Sequence, residues 1–188
     1  MALNLVTRAE YKAYAGISST NQDAIIDLLI PRISKLVKNY CRRSFVDYWD
    51  TSLVEIFNGD VPYFVLKETP LLDVSSVEIS TDYGQTYTVL TKYTDWAVDG
   101  DLVVPIGVDI FPKYVAGYKV TYTAGYEDVP EDLALAVFDL ISYYRKNDGA
   151  VNAIKRTDTT TMQIEYISDT SLPSHIRRVL DLYIADYT

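Results

Sequence analysis

The chain has 188 residues, 48% of them hydrophobic, and its 17 basic against 26 acidic residues give a net charge of -9 at pH 7. This length and apolar content provide for a packed core, and the acidic balance argues against a broad basic surface that wraps nucleic acid. No apolar run approaches the roughly 20 residues that a bilayer crossing requires, so we expect no membrane contact. The N-terminus lacks a basic start and an apolar signal core, so we expect synthesis in the cytosol.

The first 45 residues predict two helices. Thr7-Arg8-Ala9-Glu10 has the form of a capping box, so a short helix should begin at Thr7 and end at Gly16. A longer helix is predicted from about Gln22 to Arg42, with a kink at Pro31. Its apolar spacing predicts a buried face made of Ile25, Ile26, Leu29, Ile33, Leu36, Val37 and Tyr40.

The hydrophobic pattern changes to short alternating runs between residues 46 and 128, which predicts a β-rich region. We expect a hairpin at Asn58-Gly59-Asp60, with 63–66 as the returning strand. Two further hairpins are expected around Asp82-Tyr83-Gly84 and Asp99-Gly100-Asp101.

The stretch from Gly117 to Gly149 predicts a strand followed by a helix of about four turns. The strand covers 118–123 and is broken at Ala124-Gly125. Pro130 and the acids around it are typical of a helix start. The apolar stripe of this helix is predicted to consist of Leu133, Ala136, Val137, Leu140, Ile141 and Tyr144.

Residues 150–171 are mostly polar and predict an extended loop or hairpin, after which Ser171-Leu172-Pro173 starts a last helix. The apolar stripe of that helix is Ile176, Val179, Leu180, Tyr183, Ile184 and Tyr187. The fold class is therefore α+β: a small bundle of about four helices with an inserted antiparallel β-rich region. We expect one domain over 1–188, with a helical core from 1–45, 130–149 and 172–188 and the β insertion at 46–128.

Candidate chemical groups are few. His175 is the lone histidine and lies beside Ser174 at the start of the last helix. We expect it to be structural or neutral, because unspecialised histidines are common at such positions. Cys41 is expected to be a small buried thiol, without a disulfide or metal partner. A hydrolase is the least favoured class, because nothing in the sequence brings together its candidate acids, Asp47, Asp50, Asp99 and Asp101. We expect no enzyme activity, no cofactor and no metal site.

Three segments in a fixed order resemble a known family. They are LVTRAEYKAYAGI with a long helix ending in NYCRRSF, then VTYTAGYEDVPEDLALAVFDLISYYR, and last SLPSHIRRVLDLY. Their order and spacing are similar to those of the head–tail connector proteins of tailed bacteriophages, also called head completion or adaptor proteins. The resemblance covers about half of the chain, and the β-rich region is longer than in small family members.

The resemblance implies a structural virion protein. Such proteins assemble as about twelve copies in a ring below the portal protein, prolong the DNA channel and present a docking face for the tail or a second adaptor. DNA would pass through without sequence-specific binding. The protein would be made in the host bacterial cytoplasm and reside in the virion neck.

By the same resemblance, the last helix and the 150–170 loop face the portal. Because the loop is polar and lacks a stable hydrophobic period, we also expect it to order only on assembly. We expect Arg177, Arg178, Tyr183 and Tyr187 at a portal or subunit interface, where the arginines pair with acids. The alternative for the two arginines is a solvated helix face. Lys155 and Arg156 are expected as a loop contact, with a solvated loop as their alternative.

A second reading of the chain is a carbohydrate- or protein-binding β module on a helical scaffold, outside any ring. It would use Trp49, Trp96 and some of the 17 tyrosines as a stacking surface. Tyrosines in this number suit either a β-rich core or an interface.

Overall fold

The computed structural model describes residues 3–146, 153–158, 161–166 and 172–185. Within these residues lie four helices: α1 (Arg8–Ala15), α2 (Asp23–Cys41), α3 (Glu131–Lys146) and α4 (Ser174–Asp181). The strands of the same residues are β1 (Leu53–Phe57), β2 (Phe64–Val65), β3 (Leu71–Ile79), β4 (Thr88–Val89), β5 (Trp96–Asp99), β6 (Leu102–Pro105), β7 (Tyr118–Ala124), β8 (Ala153–Asp158) and β9 (Thr161–Tyr166). The named strands pair antiparallel, so the α+β class is confirmed.

The chain divides into two compact units. The helical unit comprises Asn4–Cys41 and Pro130–Ile184, and the β unit comprises Arg42–Val129 with both chain ends. The assignment of all residues to one domain stays a prediction. Among the described residues, every helix falls short of the length and apolarity that a membrane crossing needs.

Local signals set the bounds of α1. The Thr7 side chain accepts a hydrogen bond from the Glu10 backbone N–H, and the Glu10 carboxylate accepts one from the Thr7 N–H. This reciprocal pair is the predicted capping box. Gly16 ends the helix at φ 64°, a left-handed conformation that favours glycine.

The buried stripe of α2 consists of Ile26, Ile30, Ile33, Ser34, Val37 and Cys41. Ile25 was expected in this stripe but is 51% exposed. One residue of α-helix turns the chain by about 100°, so Ile25 points well away from its buried neighbour Ile26 and lies nearer to the exposed Leu28. The kink at Pro31, which lies inside α2, stays a prediction.

The predicted stripe of α3 is confirmed at its five buried residues, Leu133, Ala136, Val137, Leu140 and Ile141. Tyr144 was expected in the same stripe but is 41% exposed. A tyrosine ring with its polar hydroxyl tolerates such a partly solvent-exposed position near a helix end.

The last helix is shorter than predicted. Ile176 and Leu180 are buried in α4, which ends at Asp181. Tyr183 and Ile184 therefore follow the helix, and Ile184 is 39% exposed. Tyr187 lies outside the described residues.

A four-stranded sheet with the order β1-β7-β3-β4 forms the main layer of the β unit. The inner face of β7 carries Tyr118, Val120, Tyr122 and Ala124, all buried. They pack in one core with residues of the three-stranded sheet β2-β6-β5, including Phe64, Trp96 and Val103. The alternation along β7 is thus that of a strand covered on one face.

The hairpin predicted at Asn58-Gly59-Asp60 is wrong, because β1 pairs with β7 and β2 pairs with β6. The Gly59 N–H donates to Tyr114 O at 2.9 Å, and the Asp60 N–H donates to Phe111 O at 2.8 Å. A Cβ on Gly59 would lie 1.8 Å from Pro112 O. This glycine permits a close backbone approach instead of a tight turn.

The other two predicted hairpins are confirmed. β3 pairs with β4 across the turn at residues 80–87, and β5 pairs with β6 across Gly100. A further hairpin joins β8 to β9, with Lys155 opposite Ile164 and Arg156 opposite Gln163.

Candidate interaction surfaces

Two of the four candidate acids, Asp47 and Asp101, each accept a hydrogen bond from a backbone N–H. Asp47 accepts a hydrogen bond from the Leu3 N–H at 2.7 Å, and Asp101 accepts one from the Leu71 N–H at 2.9 Å. Over residues 3–146, 153–158, 161–166 and 172–185, no group of three or more His, Cys, Asp or Glu side chains is placed to hold a metal ion.

His175 lies at the surface, whereas Cys41 is buried against α4. The His175 side chain is 71% exposed, with Nε2 at 4.0 Å from Asp139. Cys41 is buried, and its thiol donates to Leu180 O at 3.5 Å. The buried thiol predicted from the sequence is therefore confirmed.

Trp96 is not available for an aromatic stacking surface. It is 1% exposed, and its indole N–H donates to Leu90 O at 3.3 Å. The β-module reading assigned Trp96 to such a surface, so that part of it is wrong. The indole fills the core between the two sheets, where a large ring buries more apolar area than a smaller side chain.

A polar cluster lies in the β unit. The Tyr122 hydroxyl donates to Glu55 Oε1 at 2.6 Å and accepts from the Glu68 N–H at 3.1 Å. Glu68 is 5% exposed, and its carboxylate accepts two hydrogen bonds from Ser44 at 2.7 and 2.8 Å. Burial raises the pKa of Glu55, and burial with the hydrogen bond to Glu55 raises the pKa of Tyr122. These bonds tie the segment after α2 to the sheet.

The surface around α4 carries the two predicted arginines. Arg177 and Arg178 are both exposed. Beside them, the Tyr40 hydroxyl donates to Asp181 at 2.5 Å, and the Tyr183 hydroxyl donates to Asp132 at 2.6 Å. These hydrogen bonds attach the end of α4 to α2 and α3, next to the two arginines.

The other predicted contact residues are Lys155, Arg156 and Tyr187. Lys155 and Arg156 lie at neighbouring positions of β8. Tyr187 falls outside the described residues. Their roles in an interface stay predictions.

The outward side of α2 carries both apolar and basic side chains. Ile25 and Leu28 are 51% and 50% exposed, and Arg32 and Lys35 follow one and two turns later on the same side. Neither Arg32 nor Lys35 forms an ion pair with the described residues. We call these four residues the α2 stripe.

A second apolar surface of the helical unit lies where α1 meets α3. The Tyr14 ring stacks on Phe138 with ring centroids 5.0 Å apart, and its hydroxyl donates to Asp139 at 2.8 Å. Tyr14 is 45% exposed, and Leu135, one turn before Phe138 on α3, is 48% exposed. We call Tyr14, Leu135 and Phe138 the Tyr14 patch.

The outer face of the four-stranded sheet is a third surface. Val54 and Ile56 on the edge strand β1 are 52% and 59% exposed. Next to them, Lys119 pairs with Glu78 at 2.6 Å and lies over the Tyr87 ring at 4.5 Å. This face is more polar than the two helical surfaces, because threonines occupy the outward positions of β7.

The α2 stripe was not identified from the sequence, although the signal was present. Ile25 and Arg32 are seven residues apart, as are Leu28 and Lys35. A seven-residue spacing places residues on one helix face. Ile25 was assigned to the buried face because the spacing of apolar residues alone does not show which of two adjacent helix stripes packs against the core.

Comparison with protein-family models identifies one family. The family model of the head completion protein matches residues 4–184. Comparison with curated proteins found no significant match.

Several solved structures share the fold. A chain from the neck of an empty GTA particle, computed with C6 symmetry, has a TM-score of 0.65 at 14% identity, covering 98% of this chain and 91% of that chain. A chain of the virion of the native gene transfer agent (GTA) particle gives the same values. A chain from the neck of the native GTA particle, computed with C12 symmetry, has a TM-score of 0.62 at 16% identity, covering 100% and 97%.

At these identities the structural likeness concerns the fold, while the family match covers nearly the whole sequence. The resemblance inferred from the three segments is thereby confirmed. The chain belongs to the head completion protein family.

Proposed function

We propose that this protein is a structural component of a phage virion neck, where copies form a ring below the portal. The ring extends the DNA channel and joins head to tail. Membership of the head completion family over residues 4–184 carries this proposal. The shared fold with chains of GTA necks computed with C6 and C12 symmetry supports a ring of about twelve copies.

The partners follow from that position. One side of the ring contacts the portal protein, and the other receives the tail or a second adaptor. The net charge of -9 favours passage of DNA, because a basic channel wall would hold the phosphates. The role is structural instead of catalytic, and the protein is made in the host bacterial cytoplasm before assembly.

The portal contact is proposed at α4. Arg177 and Arg178 are exposed there, and a guanidinium is suited to bidentate pairing with carboxylates of a partner. Tyr183, held by Asp132, supports their position. Tyr187 near the C-terminus, and Lys155 and Arg156 on β8, are proposed as further contacts.

The experiment is co-sedimentation of the chain with purified portal particles. We expect Arg177→Glu with Arg178→Glu to weaken portal binding by about tenfold or more, since like charges across an interface are strongly unfavourable. A matched control, Lys92→Glu with Lys113→Glu, makes the same charge change in the β unit and should bind as the wild type does. Unchanged binding of the α4 variant would discard the α4 contact.

Lys155→Glu with Arg156→Glu tests the second proposed contact in the same assay. A loss of binding similar to that of the α4 variant supports a two-part portal surface. Binding equal to the wild type assigns β8 and β9 to solvent or to another partner.

A further inference from the structure

The α2 stripe and the Tyr14 patch lie on opposite sides of the α2–α3 helix pair. Leu28 is two residues from buried Ile26, and Leu135 is two residues from buried Leu133. Two residues turn an α-helix by about 200°, so both leucines point away from the buried faces of their helices. The helical unit therefore has two separate exposed apolar surfaces that cannot pair within one chain.

The charges around these two surfaces are of opposite sign. In the α2 stripe, Arg32 and Lys35 extend the apolar pair of Ile25 and Leu28. The neighbouring acid of that stripe, Asp27, is already paired with Arg8 at 2.6 Å.

The Tyr14 patch is bordered by acids. Glu10 lies one turn before Tyr14 on α1, and Glu131 and Asp139 lie one turn on either side of Leu135 on α3. Glu10 and Glu131 are exposed and form no ion pair with the described residues. Each surface thus has an apolar centre and charges at its margin, the usual anatomy of a protein interface.

We propose that the α2 stripe of one copy docks on the Tyr14 patch of the next copy around the ring; this contact rests on the proposed neck function. Ile25 and Leu28 cover the exposed faces of Leu135 and the Tyr14–Phe138 ring pair. Arg32 and Lys35 meet the acids bordering the patch. A contact between two different surfaces leaves each copy with one of each to offer, so the assembly continues until it closes.

Directed cross-linking tests the contact. The full chain with Leu28→Cys and Leu135→Cys is treated with a short bis-maleimide, alone and bound to portal particles; native Cys41 is buried. We expect a ladder of covalent multimers on denaturing gels from the double variant. Each single-cysteine variant should stay monomeric, because a head-to-tail contact never brings two copies of the same residue together. A dimer from Leu28→Cys alone would overturn the proposal, since it requires a symmetric contact.

Charge exchange gives an independent readout by sedimentation of the chain alone and with portal. Arg32→Glu with Lys35→Glu should weaken association between copies by about tenfold or more. Adding Glu131→Lys to this variant should restore part of that loss. The control Lys92→Glu with Lys113→Glu should associate as the wild type does. No loss in the α2 variant, or no recovery with Glu131→Lys, would contradict the pairing.

The two assays separate this contact from the neck role. Portal binding at full occupancy without a ladder rejects the interface and leaves the neck role standing. A ladder in solution without portal binding supports the interface and contradicts the portal contact. A chain that binds neither portal nor itself overturns both.

Discussion

The Tyr122 hydroxyl on β7 donates a 2.6 Å hydrogen bond to Glu55 on the neighbouring strand β1. Burial raises the pKa of Glu55, while this hydrogen bond opposes the rise. A carboxyl with a raised pKa in the folded state stabilises the fold in its protonated form. That contribution is complete below the ordinary glutamate pKa of about 4.3 and is lost as the pH rises through the folded value.

Replacement of Glu55 tests this pH dependence. Glu55→Gln keeps an acceptor for Tyr122 but does not titrate. We expect the free energy of unfolding of the wild type, relative to the variant, to rise as the pH falls from 7 to about 4. Urea unfolding at a series of pH values measures the difference. Tyr122→Phe, which removes the opposing hydrogen bond, should strengthen the trend, and a difference that is flat with pH contradicts the account.

Asp82 should show the opposite sign. Its carboxylate accepts hydrogen bonds from the Thr86 hydroxyl and N–H and from the Ser80 hydroxyl, and these lower its pKa. A lowered pKa stabilises the fold above the ordinary aspartate pKa of about 3.9, and the gain is lost as the pH falls from there. Asp82→Ala should therefore be less stable than the wild type at pH 7.

The same urea series measures the effect of Asp82→Ala. The difference from the wild type should shrink steadily below about pH 4. A deficit that persists unchanged at pH 2.5 would mean that the Asp82 charge does not hold the β3–β4 turn.

Gly125 is expected to be intolerant of a side chain. It has φ 106°, and a Cβ there would lie 2.0 Å from Phe45 O. Gly125→Ala should cost about 3 kcal/mol or more, because strain and a backbone clash combine. Gly107 has φ 76° with nothing within 4 Å of a Cβ, so Gly107→Ala should cost only about 1–2 kcal/mol. Thermal unfolding measures both variants, and an equal loss of stability in Gly125→Ala and Gly107→Ala would contradict this account of the packing.

Leu135 and Leu140 on the same helix should respond differently to truncation. Leu140 is fully buried, so Leu140→Ala should cost about 2–5 kcal/mol. Leu135 is 48% exposed, so Leu135→Ala should change the stability of the isolated chain by less than about 0.5 kcal/mol. Denaturant unfolding of both variants decides this, and a large loss from Leu135→Ala would show that it is a core residue.

Local sequence signals predicted the elements that depend on neighbours along the chain. The capping box at Thr7, the left-handed Gly16 and the hairpin around Gly100 are specified within a few residues. The family could also be inferred, because its three segments have a distinctive order.

The predictions that proved wrong concern features that are determined by contacts between segments far apart in the sequence. Asn58-Gly59-Asp60 has the composition of a hairpin turn, but Gly59 is required by a backbone more than 50 residues away, at Pro112. Ile25 has the apolar character of a core residue, and only the packing of the other helices shows that it faces outward. Strand pairing and the choice of buried helix face are therefore the parts that one sequence did not determine.

The most direct test of the neck role is electron cryomicroscopy of the purified chain mixed with portal particles. We predict a closed ring of about twelve copies on one end of the portal, with a central channel continuous with the portal channel. Bare portal particles beside free monomers, in a mixture where both proteins are folded, would contradict the account.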